Sequence, residues 1–195
     1  MCCDTAPGEP GERRRALKGN FWEKSDSANS YRAEQLGICA IHHLITALTS
    51  YYNIGKCTTT IWCDNMGAIT ISNKRRRRIR PGASCADVLR NIRNTRNKTK
   101  ARIKYRHVDG HMDKYLLFTQ MTLEQQMNYW CDKEANKAVE RSILHKFVTE
   151  GKQLLPGEDA AVFLGDKKLT SDLSRAVRLE TSREKAKEFL INECK

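Results

Sequence analysis

Residues 58–65 read Thr-Thr-Thr-Ile-Trp-Cys-Asp-Asn. Thr58 to Cys63 is β-branched and aromatic, which is typical of a strand. Asp64 and Asn65 form a turn-favouring pair, so the strand is expected to end there. An ionisable side chain at the end of a buried strand is costly unless it is paired or bound to a metal. Asp64 therefore indicates a functional site, although a turn-forming Asp that caps the next helix explains it equally well.

The segments on either side of this strand predict an α/β fold. Upstream, apolar residues recur at helical spacing over 31–52, with Ser30 as the N-cap. Downstream, helices are expected at 66–72 and 85–96, and an alternating strand at 103–108. Strand, helix and strand in this order predict a parallel pair, and functional groups gather at the carboxyl ends of such strands.

The last third of the chain predicts a long helix and then a different region. Thr122 to Gln125 fits a capping box, and the helix that it opens is expected to reach about Phe147. Cys39, Cys63 and Cys131 lie in apolar patterns and are expected to be small core residues. Gly165-Asp166 predicts a hairpin turn, and helices are expected near 171–179 and 182–192.

The sequence predicts three regions and an intracellular protein. They are an irregular leader at 1–29, a domain at 30–150 and a hairpin-plus-helices appendage at 151–195. Eight cysteines without a Cys-x-x-Cys pair argue against a zinc ribbon, and no apolar stretch resembles a signal peptide or a membrane span. The expected location is cytoplasmic or nuclear, with reduced thiols and no membrane partner.

A strong positive charge favours a polyanionic partner. Lys and Arg number 35 against 23 acidic residues, which gives a formal charge of +12. A merely basic protein without such a partner is the alternative. The basic run at 74–80 could neutralise several phosphates, act as a nuclear localisation signal or simply be solvated. Its cations are Lys74, Arg75, Arg76, Arg77, Arg78 and Arg80.

Three carboxylates on separate elements form the candidate site. Glu34 lies in the first or second turn of the first helix, Asp64 ends a strand, and Asp132 lies in the long helix. Such a set suits a divalent metal, because hard cations take oxygen ligands. His107 and His111 are four apart, but Val-Asp-Gly between them argues against a zinc-binding helix. They are either loop groups for proton transfer or surface residues.

Taken together, these residues resemble a type 1 ribonuclease H domain of the kind found in retroelement reverse-transcriptase polyproteins. The resemblance covers about residues 30–140, and four short motifs in order carry it. They are Tyr31–Gly37, Trp62–Asn65, His107–His111 and Asn128–Ala135. The resemblance implies an RNA–DNA hybrid endonuclease that uses Mg²⁺ or Mn²⁺. It makes Glu34, Asp64 and Asp132 the metal ligands, with His111 as the mobile histidine that assists proton transfer.

The sequence departs from that family at its start. The family begins with three strands, and the first of them carries an Asp that bridges both metals. Residues 1–29 are too few and too polar to supply these strands. The fold is therefore expected to be ribonuclease H-like without its first three strands, with a bare edge on the strand at 58–63. Little or no activity is expected, because each lost ligand removes charge and fixed geometry.

Two other interpretations stay open at this point. The competing interpretation is a non-catalytic nucleic-acid-binding remnant, whose binding would weaken steeply as salt rises. A degraded reading frame whose product does not fold is the third, and cooperative unfolding would argue against it.

Overall fold

The computed structural model describes residues 29–74, 78–80, 82–145, 154–158, 160–165 and 167–193. These residues form a mixed α/β fold with five helices, a two-stranded parallel sheet and an antiparallel hairpin. The elements in chain order are α1 (Ser30–Tyr51), β1 (Thr58–Cys63), α2 (Met66–Asn73), α3 (Ala86–Lys98), β2 (Arg102–His107), α4 (Leu123–His145), β3 (Val162–Leu164), β4 (Lys167–Leu169) and α5 (Leu173–Glu193). Two 3-10 turns, Met112–Lys114 and Phe118–Gln120, precede α4. Across the described residues, none of the helices has the length and apolar character that a membrane span requires.

Helix α1 supplies one wall of the core. Its apolar positions face inwards at helical spacing, and Leu36, Ile38, Cys39 and Ile45 are buried. The predicted N-cap was wrong by one residue. The side chain of Asn29, rather than Ser30, accepts a hydrogen bond from the Arg32 backbone N–H at 2.8 Å, which satisfies one of the unpaired donors of the first turn.

The parallel pair that the sequence predicts is confirmed. Strands β1 and β2 run parallel in a register that places Thr58 opposite Arg102 and Cys63 opposite His107. Side chains alternate between two faces, and the face that carries Ile61, Cys63 and Ile103 is buried in the core. Because both strands end at the same edge, the residues that follow them are brought together there.

A buried ion network joins the C-terminal region to α1 and α3. Arg32 is 1% exposed and donates two hydrogen bonds to the Asp87 carboxylate, at 2.9 and 2.8 Å. Lys168 on β4 is also 1% exposed, and its Nζ lies 3.6 Å from Asp87 Oδ2 and 2.5 Å from Glu158 Oε2. The hairpin at 162–169 is therefore anchored to the helices by charges that the sequence pattern did not reveal.

Two predictions about the later part of the chain need correction, those of Cys131 as a core residue and of two C-terminal helices. The capping box is confirmed, because Thr122 and Gln125 exchange hydrogen bonds at 3.0 and 3.4 Å. The described part of α4 ends at His145, and the predicted end at Phe147 lies outside the described residues. Cys131 is only half-buried, because α4 presents that face partly to solvent, whereas Cys39 and Cys63 are in the core as predicted. One continuous helix, α5, replaces the two predicted ones, because no residue between them breaks the helix.

Stability is expected to fall between neutral and acidic pH because of His42. This residue is fully buried on α1, and its Nε2 lies 2.6 Å from the Tyr105 hydroxyl. Burial, together with the charge of Arg96 and the neighbouring His43, lowers the pKa of His42 from 6.5 to about 4. The unfolded chain therefore binds the proton more tightly. The stability contributed by neutral His42 is complete above pH 6.5 and is lost as the pH falls to about 4, by roughly 3 kcal/mol.

Urea unfolding at a series of pH values measures this effect. His42→Gln keeps a polar partner for Tyr105 but cannot titrate, so its stability should change much less over the same range. Lys185→Gln, at an exposed position of α5, should retain the wild-type dependence. An identical pH dependence in His42→Gln and the wild-type chain would show that another group is responsible.

Candidate metal centre

Two of the three predicted carboxylates, those of Glu34 and Asp64, come together at the carboxyl end of the sheet. Asp64 directly follows β1, and Glu34 reaches it from the first turns of α1. Ligand atoms of Glu34, Cys63 and Asp64 all lie within 4.8 Å of one another, and this is the cluster of possible metal ligands found among the described residues. Asp132 on α4 is not part of this cluster, but it lies near enough to interact electrostatically with Glu34 and Asp64. Elements that are far apart in sequence therefore supply one acidic site.

Asp64 does not cap α2, although a helix cap was the alternative explanation for an Asp at this position. The N-cap of α2 is Asn65, whose side chain accepts a hydrogen bond from the Ala68 backbone N–H at 3.0 Å. The Asp64 carboxylate is instead turned towards α4, where Asn128 Nδ2 lies 3.4 Å from its Oδ2. Asp64 is thus available to the acidic site rather than used by the backbone.

Cys63 supports Glu34 and does not add a charge of its own. Its thiol donates to Glu34 Oε2 across 3.5 Å. Burial, with the nearby charge of Glu34, raises the pKa of this thiol to about 12, although the Asn65 backbone acts in the opposite direction. The thiol therefore stays protonated at neutral pH, and the charged donors of the site are carboxylate oxygens. That donor set fits a hard cation such as Mg²⁺ or Mn²⁺.

The electrostatics of the site favour the binding of a cation. Burial raises the pKa of the Glu34 carboxyl, and the charge of Asp64 and that of Asp132 raise it further. Burial also raises the pKa of Asp132, again with a contribution from Asp64, while His111 acts in the opposite direction. Both shifts arise because negative charges are held close together away from water. A divalent cation would relieve that repulsion.

The loop after β2 brings two histidines to the site in different ways. His107 Nε2 lies 3.0 Å from the Asp64 backbone oxygen, so it ties the ends of the two strands together. His111 is exposed and has a φ of 53°, in the left-handed region. Its Nδ1 lies 3.6 Å from Asp132 Oδ2. A loop position with an exposed ring leaves His111 able to approach a substrate oxygen beside the carboxylates.

Two residues of the site carried no predicted role. Asn128 contacts Asp64, and it precedes Asp132 by one helical turn, so the i, i+4 spacing on α4 was the signal that both face the same way. Gly110 lies against Asp64, and a Cβ atom there would stand 2.7 Å from Asp64 Oδ2. Glycine at this position is needed for the close approach of loop and carboxylate.

The basic run lies away from the carboxylates along the chain. It follows α2, whose eight residues separate it from Asp64 by about 12 Å. Its described cations, Lys74, Arg78 and Arg80, are exposed. Arg75, Arg76 and Arg77 lie outside the described residues.

Comparison with protein-family models, with curated proteins and with solved structures found no match for this chain. The basis for a function is therefore the geometry of the acidic site and the charge around it.

Proposed function

We propose that this chain is a ribonuclease H-type domain of retroelement ancestry, with a divalent-metal site that acts on RNA–DNA hybrids. The observation that carries the proposal is the cluster of Glu34 and Asp64, from a helix and a strand end, with Asp132 near it on a second helix. The finer fold assignment, a ribonuclease H-like domain without its first three strands, belongs to the same proposal. It is supported by the parallel β1–β2 pair and by the two motifs that lie at the ends of its strands, Trp62–Asn65 and His107–His111.

The chain's own groups have distinct tasks in this proposal. Glu34, Asp64 and Asp132 would hold the metal, which when bound would activate water and stabilise the leaving oxygen of a phosphodiester. Asn128 and Gly110 position Asp64, and His107 fixes the strand ends. His111 would move a proton at the leaving oxygen, since it is exposed and lies on a loop beside Asp132.

Weak catalysis is part of the proposal. Among the described residues, the tight cluster of possible ligands holds two carboxylates, those of Glu34 and Asp64, and Asp132 lies outside it. A metal pair that lacks a bridging carboxylate is held with less charge and looser geometry. The purified chain is therefore expected to cut hybrids slowly, with Mn²⁺ supporting more activity than Mg²⁺.

Cleavage of a labelled hybrid tests the proposal. The RNA strand of an RNA–DNA hybrid should be cut in Mn²⁺, and the same RNA in an all-RNA duplex or alone should not. Cleavage of all three substrates would indicate a contaminating or different nuclease. Cleavage of the hybrid at an ordinary enzymatic rate would overturn the expected impairment. Complete inactivity of a cooperatively folded chain would favour the second candidate, a non-catalytic nucleic-acid-binding remnant, which the formal charge of +12 also supports.

Gly110→Ala is expected to damage the metal site without unfolding the chain. The added Cβ would meet Asp64 Oδ2 at 2.7 Å, so either the loop or the carboxylate must move. Displacing a residue that supports a metal ligand typically lowers metal affinity by about tenfold or more. Titration with Mn²⁺, followed by the shift in thermal unfolding midpoint, measures the loss.

Gly82→Ala is the matched control, because a Cβ there meets nothing within 4 Å. This variant should bind Mn²⁺ as the wild-type chain does. Equal Mn²⁺ affinity in Gly110→Ala and Gly82→Ala would mean that Asp64 is not a ligand in the arrangement described.

A further inference from the structure

A row of three cations occupies the side of the sheet that faces away from the core. On β2, Arg102, Lys104 and Arg106 are exposed, whereas Ile103 between them is buried. Alternate residues of a strand lie about 6.6 Å apart on one face, so the row extends over roughly 13 Å. We refer to Arg102, Lys104 and Arg106 as the basic row.

The neighbouring strand adds uncharged and aromatic groups to the same face. The parallel register places Thr58 beside Arg102, Thr60 beside Lys104 and Trp62 beside Arg106. Trp62 is 38% exposed, and the Arg106 guanidinium lies 5.6 Å from the centre of its ring. The face thus combines positive charge with an accessible aromatic ring.

No acidic group neutralises this face from within the sheet. Neither β1 (TTTIWC) nor β2 (RIKYRH) contains an Asp or a Glu. In the part of the chain that the structure describes, the ion pairs involve other residues and leave out the basic row. Three unpaired like charges side by side repel one another, and an extended polyanion would relieve that repulsion.

The row also leads to the acidic site. His107 follows Arg106 at the end of β2, and its Nε2 lies 3.0 Å from the backbone oxygen of Asp64. Arg106, at the end of the row, lies beside Trp62, two residues before Asp64, so a strand of nucleic acid that runs along the row would end near the sheet edge that carries Asp64. Lys74, the first cation of the run at 74–80, follows α2 and is not part of this row.

We propose that the basic row, with Trp62, binds the sugar-phosphate backbone of one nucleic-acid strand and directs it to the acidic site. Each cation would contact a separate phosphate, and Trp62 would stack on a base or sugar. The nature of the partner rests on the proposed function, but the binding step does not need hydrolysis. Recognition through the backbone predicts similar affinities for single-stranded DNA and RNA of equal length.

Two triple variants with equal net charge test the proposal. Arg102→Gln/Lys104→Gln/Arg106→Gln removes the row, and Arg178→Gln/Lys185→Gln/Lys187→Gln removes three exposed cations of α5. Both lower the formal charge from +12 to +9. Binding of fluorescein-labelled DNA and RNA strands to the full chain is followed by anisotropy in EDTA, across a series of salt concentrations.

The row variant should bind about tenfold more weakly at low salt, and the slope of log affinity against log salt should fall by about 2. The α5 variant should change both quantities much less. Lys104→Gln alone should lower the slope by about 0.7, which keeps the test valid if the triple variant folds poorly. Trp62→Leu should weaken binding with an unchanged slope.

Equal weakening in the two triple variants would overturn the proposal, because net charge alone would then explain binding. No weakening in the row variant would overturn it as well. Row-dependent binding without hybrid cleavage would contradict the proposed hydrolase and leave this inference standing. Hybrid cleavage together with binding that does not depend on the basic row would support the proposed hydrolase and overturn this inference.

Discussion

Replacing Asp64 with Asn is expected to abolish hybrid cleavage and to weaken Mn²⁺ binding by at least about tenfold. Asn keeps the shape of the side chain and can still contact Asn128, which lies 3.4 Å from Asp64 Oδ2. It removes the central negative charge of the cluster with Glu34 and Cys63. The loss should therefore be one of metal affinity rather than of folding.

The stability of the Asp64→Asn variant in EDTA gives a second test, which separates loss of metal binding from loss of folding. The charge of Asp64 raises the pKa of both Glu34 and Asp132, so the three carboxylates repel one another in the absence of a cation. Asp64→Asn relieves that repulsion. Without metal, the variant should be at least as stable as the wild-type chain, and only the stabilisation by Mn²⁺ should disappear.

Asp109→Asn is the matched control for charge. Asp109 lies in the same loop region, its side chain is 68% exposed, and it is 3.9 Å from His107 Nδ1. It should retain Mn²⁺ stabilisation and any hybrid cleavage. Wild-type Mn²⁺ binding in Asp64→Asn, or equal losses in both variants, would contradict the assignment of Asp64 as a ligand.

Replacing Arg32 with Met is expected to lower the free energy of unfolding by about 3–5 kcal/mol. Met fills a similar volume but donates nothing to Asp87, which then keeps a buried charge with Lys168 at 3.6 Å as a weaker partner. Burial alone would raise the pKa of Asp87, but the hydrogen bonds and charge of Arg32, with Val88 and Lys168, lower it. Arg32 is therefore the main group that keeps this carboxylate ionised.

A compensating variant separates lost charge balance from lost packing. In Arg32→Met/Asp87→Leu both charges of the pair are removed, so the double variant should be more stable than Arg32→Met. Arg178→Met, at an exposed position of α5, should change stability by less than about 1 kcal/mol. Urea unfolding gives all three values. A double variant less stable than Arg32→Met would show that packing, rather than an uncompensated carboxylate, dominates the loss.

Local pattern was sufficient to predict the elements that carry the acidic site. The β-branched run at 58–63 and the alternation before His107 are strand signals that act over a few residues, and both strands formed close to the predicted bounds. Strand ends then placed Asp64 and the His107–His111 loop at one edge. The same reasoning anticipated the capping box at Thr122 because its hydrogen bonds also join residues three apart.

The surroundings of the side chains on α4 and β2 could not be predicted from the sequence pattern. Trp130 belongs to an apolar periodicity but is 41% exposed, in a cluster with Phe118 and Tyr129. Arg102 and Arg106 carried no predicted role, and the sheet register places them on one face with Trp62. Periodicity gives the direction of a side chain relative to its own element, but not what covers it.

The sequence by itself determined the α/β order of elements, the parallel direction of β1 and β2, and the three carboxylates of the candidate site. Only the tertiary structure decided that Arg32, Asp87 and Lys168 share one buried network, and that Asn128 and Gly110 contact Asp64. The physical reason is the range of the interactions. Strands, turns and caps arise between near neighbours, whereas Arg32 and Asp87 are 55 residues apart and meet only when the helices pack.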